Sequence, residues 1–326
     1  MHKKIAVLLF VMFSAIAGKS QTSPTPIDSN TIAFSSDTQA PMWVETLWLK
    51  KTHNKAATKK LFSDIGQRRP GSLFILGDVV NLGSSNRQWR PMDNYIESLR
   101  TEGISVYAAL GNHEVMGRTK KGLRKFQRRF PDHKPTGYVT IKDSIAIVLL
   151  NSNFSKLTTA QDEMQVQWYQ NTLKKLDADP AIQFVIVGCH HSPYTNSKIV
   201  GSSKPVEEKF VPAFLASQKS RLFLSGHCHG FEHYKVQGKD FLVIGGGGGL
   251  HQPLKSGDGS LPDLATDYKP LFHYLTVRRK EGQLQLTSYK ISNDFNHFEN
   301  GLSFSVEKSP EINIAATHVN TTIPAN

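Results

Sequence analysis

Five times along the chain a short apolar run is cut off by a polar turn, and each turn carries side chains able to bind a metal. Residues 31–34 lead to Asp37 and Gln39, 72–76 to Asp78, 106–110 to Asn112 and His113, 184–187 to His190 and His191, and 222–224 to Gly226, His227, Cys228 and His229. The runs are rich in β-branched or aromatic residues and read as buried strands. Helical patterns separate most of them. Residues 42–64 are helix-rich, with Val44, Leu47 and Trp48 spaced to give an early apolar face. Residues 92–100 follow the second turn, and 161–176 carry Met164, Trp168, Leu173 and Leu176. Residues 138–150 read as two strands around Lys142 and Asp143, because Val139 and Ile141 alternate with polar neighbours and apolar residues run on from Ile145. After the last turn the pattern is all-β, through 232–236, 241–244, 273–278 and 284–291. This order predicts an α/β fold of two packed sheets with helices outside.

Sites in α/β folds collect beyond the carboxyl ends of strands, and the five ends here offer carboxylate, amide and imidazole donors. His227 and His229 stand two residues apart, which on an extended backbone turns both imidazoles to one face. Mixed donors of this kind suit Mn, Fe or Zn better than Mg or Ca, which prefer shells of oxygen. The donors are too many for one ion, so two are expected.

The ordered set Asp37-Thr38-Gln39, Gly77-Asp78, Gly111-Asn112-His113-Glu114, His191-Ser192-Pro193 and Gly226-His227-Cys228-His229 resembles the motifs of the calcineurin-like metallophosphoesterase superfamily. The resemblance implies an αββα sandwich of two mixed β-sheets flanked by helices, with the metal site at the C-terminal ends of the strands. It implies two metal ions bridged by Asp78, one completed by Asp37, Gln39 and His229 and the other by Asn112, His191 and His227. It also implies hydrolysis of phosphate mono- or diesters by a metal-bridging hydroxide, with His113 as general acid and with Asp78 and Asn112 in the catalytic set. His191 is preferred to His190 because the family's histidine stands two residues before a proline, and Pro193 fits only His191. His190 is then expected to point the other way. Glu114 is suited either to orient His113 or to cap the following helix, and both readings stay open. The pattern departs at Gln39, where the family usually has His, and this should weaken that site or favour harder ions. Residues 226–232 look like the ending of purple acid phosphatases, yet Asn81 stands where those enzymes place an iron-binding Tyr. No tyrosinate–iron colour is therefore expected.

Composition adds compartment and partner. Lys3 and Lys4, the apolar stretch 5–13 and Ala15-Ile16-Ala17 have the form of a cleaved signal, so residues 1–17 are read as a signal peptide and 18–30, rich in Ser, Thr and Pro, as a linker. The expected domain covers 31–305 and a loose tail 306–326. The stretch is too short for comfortable bilayer spanning, which predicts an exported, periplasmic or secreted protein with no stable membrane insertion after cleavage. Loss of Lys3 and Lys4 takes the formal charge from +12 to +10, which favours acidic partners. A phosphorylated small molecule is the expected substrate. Nucleic acid is disfavoured, because the densest basic stretch, 118–129, coincides with the helical stripe Leu123, Phe126 and Phe130 and reads as a solvated helix face.

Cys189 and Cys228 invite a disulfide in an exported protein, but each adjoins a ligand turn and reads better as a buried thiol. The five glycines 245–249 admit two readings, a flexible connection or a backbone that approaches phosphate. Substrate choice is expected in the loops 84–90, 118–134, 194–204 and 251–270, with Arg87, Trp89 and Arg90 as possible leaving-group contacts. The competing function is a non-catalytic protein of the same fold that binds a phosphorylated ligand. A structural zinc site is disfavoured because the chain lacks short Cys pairs.

Overall fold

The computed structural model describes residues 26–308. The expected signal peptide, most of the linker and the tail beyond 308 lie outside the described residues. In chain order the elements are β1 (Asp28–Ser35), α1 (Asn54–Arg68), β2 (Pro70–Ile75), α2 (Asn86–Thr101), β3 (Ser105–Ala108), α3 (Asn112–Val115) and α4 (Thr119–Arg129). There follow β4 (Tyr138–Lys142), β5 (Ile145–Leu149), α5 (Thr159–Ala178), β6 (Phe184–Gly188), α6 (Lys204–Lys209), α7 (Val211–Ala216) and β7 (Ser220–Ser225). The chain then runs through β8 (Phe231–Val236), β9 (Lys239–Ile244), β10 (His273–Lys280), β11 (Gln283–Ile291) and β12 (Phe298–Glu307).

The strands form two six-stranded sheets, ordered β12-β11-β10-β1-β2-β3 and β4-β5-β6-β7-β9-β8. Both are mixed: β1, β2 and β3 are parallel while β10 joins β1 antiparallel, and β5, β6, β7 and β9 are parallel between antiparallel edges. Period-two alternation divides the side chains between layers. Phe34, Phe74, Leu76, Ile147, Ile186, Leu222, Leu242 and Leu275 meet between the sheets. Ala33, Leu73 and Ile75 turn outward onto α1 and α2, and Val148, Val185 and Val187 turn outward onto α5 and α7. The expected αββα sandwich is the observed fold, and all five ligand turns leave the same edge of it.

Three expectations are corrected in detail. β1 starts at Asp28, three residues before 31, and β12 runs to Glu307, past the expected end at 305. β12 escaped the hydrophobic pattern because it is an edge strand with only Phe298 and Val306 buried. The early apolar face is absent: Leu47 and Trp48 are 63% and 75% exposed, beside a single helical turn at Glu45–Leu47. Three well-spaced residues do not offset the cost of nucleating a helix that has no surface to cover. The turn between β4 and β5 falls at Asp143 and Ser144, both at positive φ. α4 is the expected basic helix, with Phe126 buried and Arg118, Lys120, Lys121, Arg124 and Arg128 in solvent.

Candidate metal centre

The turns after β1 and β2 are zipped together by backbone bonds, Asp37 N–H to Gly77 O at 3.1 Å and Gln39 N–H to Asp78 O at 3.1 Å. Asp37, Asp78 and His227 hold φ of 57°, 50° and 65°, a left-handed conformation that side chains with a Cβ adopt only where surrounding structure imposes it. That conformation brings the ligand side chains back over the strand ends. Gly111 lets the third turn join them. A Cβ there would lie 2.2 Å from both the backbone nitrogen and Oδ1 of Asp78.

The expected site residues converge. Donor atoms of Asp37, Asp78 and His190 lie within 4.8 Å of one another, and so do those of His190, His191 and His227. His229 Nε2 is 3.4 Å from Asp37 Oδ1, an oxygen that is buried with no hydrogen-bond partner. The Gln39 amide is satisfied when its nitrogen donates to the backbone oxygens of Asp37 and Asp78, at 3.0 and 2.9 Å, which leaves its oxygen facing His229 Nε2 at 3.3 Å. Asn112 Oδ1 is 2.9 Å from His190 Nε2. An orphaned buried carboxylate oxygen, ringed by further oxygen and imidazole donors, fits a bound cation, so this donor set suits the metal ions that the motif resemblance implies.

Several histidines are oriented by their other ring nitrogen. Nδ1–H donates to Leu76 O in His190, to Leu250 O in His229 and to Asn81 O in His113, at 3.0, 2.7 and 3.0 Å. Because a carbonyl only accepts, Nδ1 carries a proton in each of these rings and Nε2 faces the centre. His191 pairs through Nδ1 with Ser152 Oγ at 2.8 Å. His113 is further tied by its backbone N–H to Asp78 Oδ1 at 2.9 Å, and its Nε2 stands 3.7 Å from Asp78 Oδ2.

His190 corrects the expectation that it points away. It is fully buried, with Nε2 3.2 Å from Asp78 Oδ2. β6 ends at Gly188, so strand alternation no longer governs residues 190 and 191 and both rings enter the cluster. Burial opposes charge on His190, but the Asp78 carboxylate and its hydrogen bond outweigh this and raise its pKa to about 9. Burial likewise opposes ionisation of Asp78, yet His190 and His113 hold it well below the usual carboxylate range. His191 falls to about 3, through burial and then the His190 charge, and His227 is pushed well down for the same reasons.

Glu114 makes no hydrogen bond to the His113 ring. Its carboxylate accepts from the N–H groups of Asp78, Val80 and Gly111 at 2.9, 3.1 and 2.9 Å, closing the start of α3 and clamping two ligand turns together. Burial and then the charge of Asp78 push its pKa up to about 7, against those donors. The signal was the acidic residue three positions after Gly111, a capping-box position.

Part of the glycine run packs against the first ligand turn. Gly247 and Gly249 donate to Ser36 O and Asp37 O, each at 2.9 Å, so these N–H groups brace the first ligand turn. A Cβ would lie 2.4 Å from Ser36 O at Gly247 and 2.4 Å from the His229 ring at Gly249. Sequence reasoning did not link this run to the metal turn, since nothing local marks a contact some 200 residues away. Cys189 and Cys228 are free, buried thiols on the outer face of the second sheet. Trp89 is also core: its indole donates to Gly83 O at 2.8 Å and Arg129 stacks 4.3 Å from its ring.

No helix among the described residues is long and apolar enough to cross a membrane. No individually curated protein matches the sequence. Among solved structures, the chain superposes on a purple acid phosphatase, PPD1 from seeds of yellow lupin (Lupinus luteus), with TM-score 0.66 and 16% identity over 85% of this chain and 53% of that one. It therefore spans about half the length of the lupin protein. It also superposes on GAP50, the anchor in the inner membrane complex of Plasmodium, with TM-score 0.63 and 15% identity over 86% and 89% of the two chains. A dimetal phosphatase from Danio rerio gives TM-score 0.52 and 13% identity over 86% and 99%. Identities this low show a shared fold. Residues 31–231, more than half of the chain, match the family model described as calcineurin-like phosphoesterase. With the sandwich and the donor clusters at its strand ends, that match shows that the chain belongs to the calcineurin-like phosphoesterase family.

Proposed function

We propose that this protein is an exported, binuclear metal-dependent phosphoesterase that hydrolyses phosphate mono- or diesters. The observation that carries the reading is the position of Asp78, which belongs to the donor cluster with Asp37 and His190 and whose carboxylate stands 3.2 Å from His190, the residue this cluster shares with His191 and His227, and 3.7 Å from the ring of His113. Asp37, Gln39 and His229 would hold one ion and Asn112, His191 and His227 the other, with Asp78 shared. Mn, Fe or Zn suits these donors. The bound pair would neutralise phosphoryl oxygens and acidify water. The chain's own part is positional and protonic. Asn81 O and the Asp78 carboxylate hold the His113 ring from two sides, so its Nε2 can deliver a proton to the departing oxygen. Asn81 offers iron no phenolate, so an iron-loaded preparation should show no purple tyrosinate–iron charge-transfer band. Export is supported by the basic and apolar composition of residues 1–17.

The test is hydrolysis of p-nitrophenyl phosphate and bis-p-nitrophenyl phosphate by metal-stripped protein given back Mn, Fe, Zn, Co or Mg. A transition metal should restore activity, and His113→Ala should then lower kcat by about 10²–10⁴-fold with metal content unchanged. Silence with every metal, while two ions still bind, would favour the phospholigand-binding reading.

A further inference from the structure

The segment between Gln39 and Asn54 is rooted in the metal centre at both ends. Gln39 N–H donates to Asp78 O at 3.1 Å, and Asn54 Nδ2 donates to Gly248 O and Gly249 O, each at 2.9 Å, where Gly249 lies against the His229 ring. Between these roots the chain closes a compact turn. The N–H groups of Thr46, Leu47 and Trp48 donate to the carbonyls of Trp43, Val44 and Glu45 at 3.2, 3.2 and 3.1 Å, and Met42 N–H donates to the Glu45 carboxylate at 2.8 Å. The backbone of the turn is satisfied, but its large side chains are not covered. Trp43, Leu47 and Trp48 are 76%, 63% and 75% exposed, and neither indole makes a hydrogen bond or ring contact with another described residue. A single exposed apolar residue is ordinary. Three large ones within six consecutive positions occur nowhere else among the described residues and mark a contact surface.

Charge says what that surface meets. Lys50, Lys51 and Lys55 follow the turn, all exposed, and none makes a hydrogen bond or ion pair with another described residue. From Pro41 to Lys60 the chain has five lysines and one acid, Glu45, whose carboxylate accepts from Met42 N–H. Lysine is depleted where proteins meet, and three side chains fall short of the roughly 800 Å² that each partner gives to a stable protein interface. Tryptophan beside free lysine is instead the composition of a bilayer surface, where the indole sits at headgroup level and the ammonium meets anionic phosphate. We propose that this turn docks on the surface of an anionic phospholipid bilayer, with Trp43, Leu47 and Trp48 seated among the headgroups and Lys50, Lys51 and Lys55 over lipid phosphates. The docking is peripheral and reversible, since no helix among the described residues is long and apolar enough to cross a membrane. It requires no hydrolysis, so it stands or falls apart from the phosphoesterase reading.

Vesicles of phosphatidylcholine alone, and of equal parts phosphatidylglycerol and phosphatidylcholine, test this with the full chain. The native protein should sediment with the anionic vesicles about ten-fold more strongly than with the neutral ones, and added salt should erode the difference. Trp43→Ser/Leu47→Ser/Trp48→Ser should weaken binding to anionic vesicles about 100-fold. Lys50→Gln/Lys51→Gln should weaken it about ten-fold, close to the level of neutral vesicles. All five side chains are exposed, so both variants should keep the native Tm. With bromine on the acyl chains, the tryptophan fluorescence of native protein should be quenched. That quenching should vanish in the triple variant, which keeps only the buried Trp89 and the half-buried Trp168. Residues 1–17 hold no tryptophan, so quenching reports the turn itself. Native protein that ignores anionic vesicles, binds them without quenching, or binds them no better than the triple variant does would overturn the proposal. So would a native dimer that the triple variant splits, because a second copy would then cover the turn.

Discussion

The two sheets bring different chemistry to the centre, and each edge is braced accordingly. The edge of β1, β2 and β3 supplies Asp37, Gln39, Asp78 and Asn112, all oxygen donors, while the edge of β6 and β7 supplies His190, His191, His227 and His229. Two carboxylates close together repel, so their turns need N–H groups and a fixed spacing. Glu114 provides the spacing by gathering the N–H groups of Asp78, Val80 and Gly111 on one buried carboxylate. An imidazole needs an acceptor on Nδ1 and room to turn Nε2 inward. Leu250 O provides the acceptor for His229, and Gly249, where any side chain would strike the ring, provides the room. The oxygen edge is therefore held by a buried carboxyl group and the imidazole edge by backbone that lacks side chains. One is vulnerable to loss of an acceptor, the other to gain of volume.

The largest effect should come from Asp78, the proposed ligand to both ions. Asp78→Asn should lower hydrolysis of p-nitrophenyl phosphate by about 10³-fold, as expected for loss of an electrostatic group at a reacting centre. Elemental analysis should then find fewer than two metals per chain. Two tightly bound ions in that variant would break the idea that Asp78 joins the edges. Next is the brace of the oxygen edge. Glu114→Ala leaves three N–H groups without their acceptor and should cost roughly 3 kcal/mol or more in urea unfolding. A loss under about 1 kcal/mol would mean that water replaces the carboxylate freely.

Where the glycine run meets the oxygen edge, Gly247→Ala should cost about 1–3 kcal/mol, because the added Cβ would sit 2.4 Å from Ser36 O and would push the Asp37 turn. Gly257→Ala is the control. It meets nothing within 4 Å, and only its φ of +76° penalises the change, by about 1 kcal/mol, with metal affinity untouched. Equal metal affinity in the two variants would refute the bracing role of the glycine run.

The smallest effect concerns pH and the contact between the edges. Burial is outweighed by Asp78, so His190 in the metal-free protein has a pKa of about 9, above its unfolded value of 6.5. A raised histidine pKa contributes stability that is complete below 6.5 and is lost as pH rises through 9. The Tm of metal-free protein should therefore fall over that window, and His190→Gln should flatten the decline. Metal binding should also release a proton at pH 7, seen as buffer-dependent heats. A flat profile in the native protein would mean that the edges are not joined through this pair.

The residue types and order of the site were legible in sequence because they are local facts. A ligand belongs to the turn that ends its own strand, and five turns with oxygen or imidazole donors announce a metal site wherever the strands lie. The buried runs were legible too, since alternation and apolar composition are written into a few consecutive residues. Contacts between turns far apart in the chain were not. His190 stands one residue before His191, and the choice between them turned on Pro193, but both rings enter the centre because β6 stops at Gly188. Glu114 had two plausible tasks until the turn after β2 was seen resting on it.

By itself, then, the sequence determined the fold class, the strand ends and the donor chemistry, all of which depend on spacing within about ten residues. Only the tertiary structure decided how the donors share one centre, what the five glycines touch, and that Trp43, Leu47 and Trp48 stay exposed. Gln39 and His229 are 190 positions apart and 3.3 Å from each other. Such a contact follows from the packing of the whole sandwich, which one buried core between the two sheets settles and no stretch of sequence encodes alone.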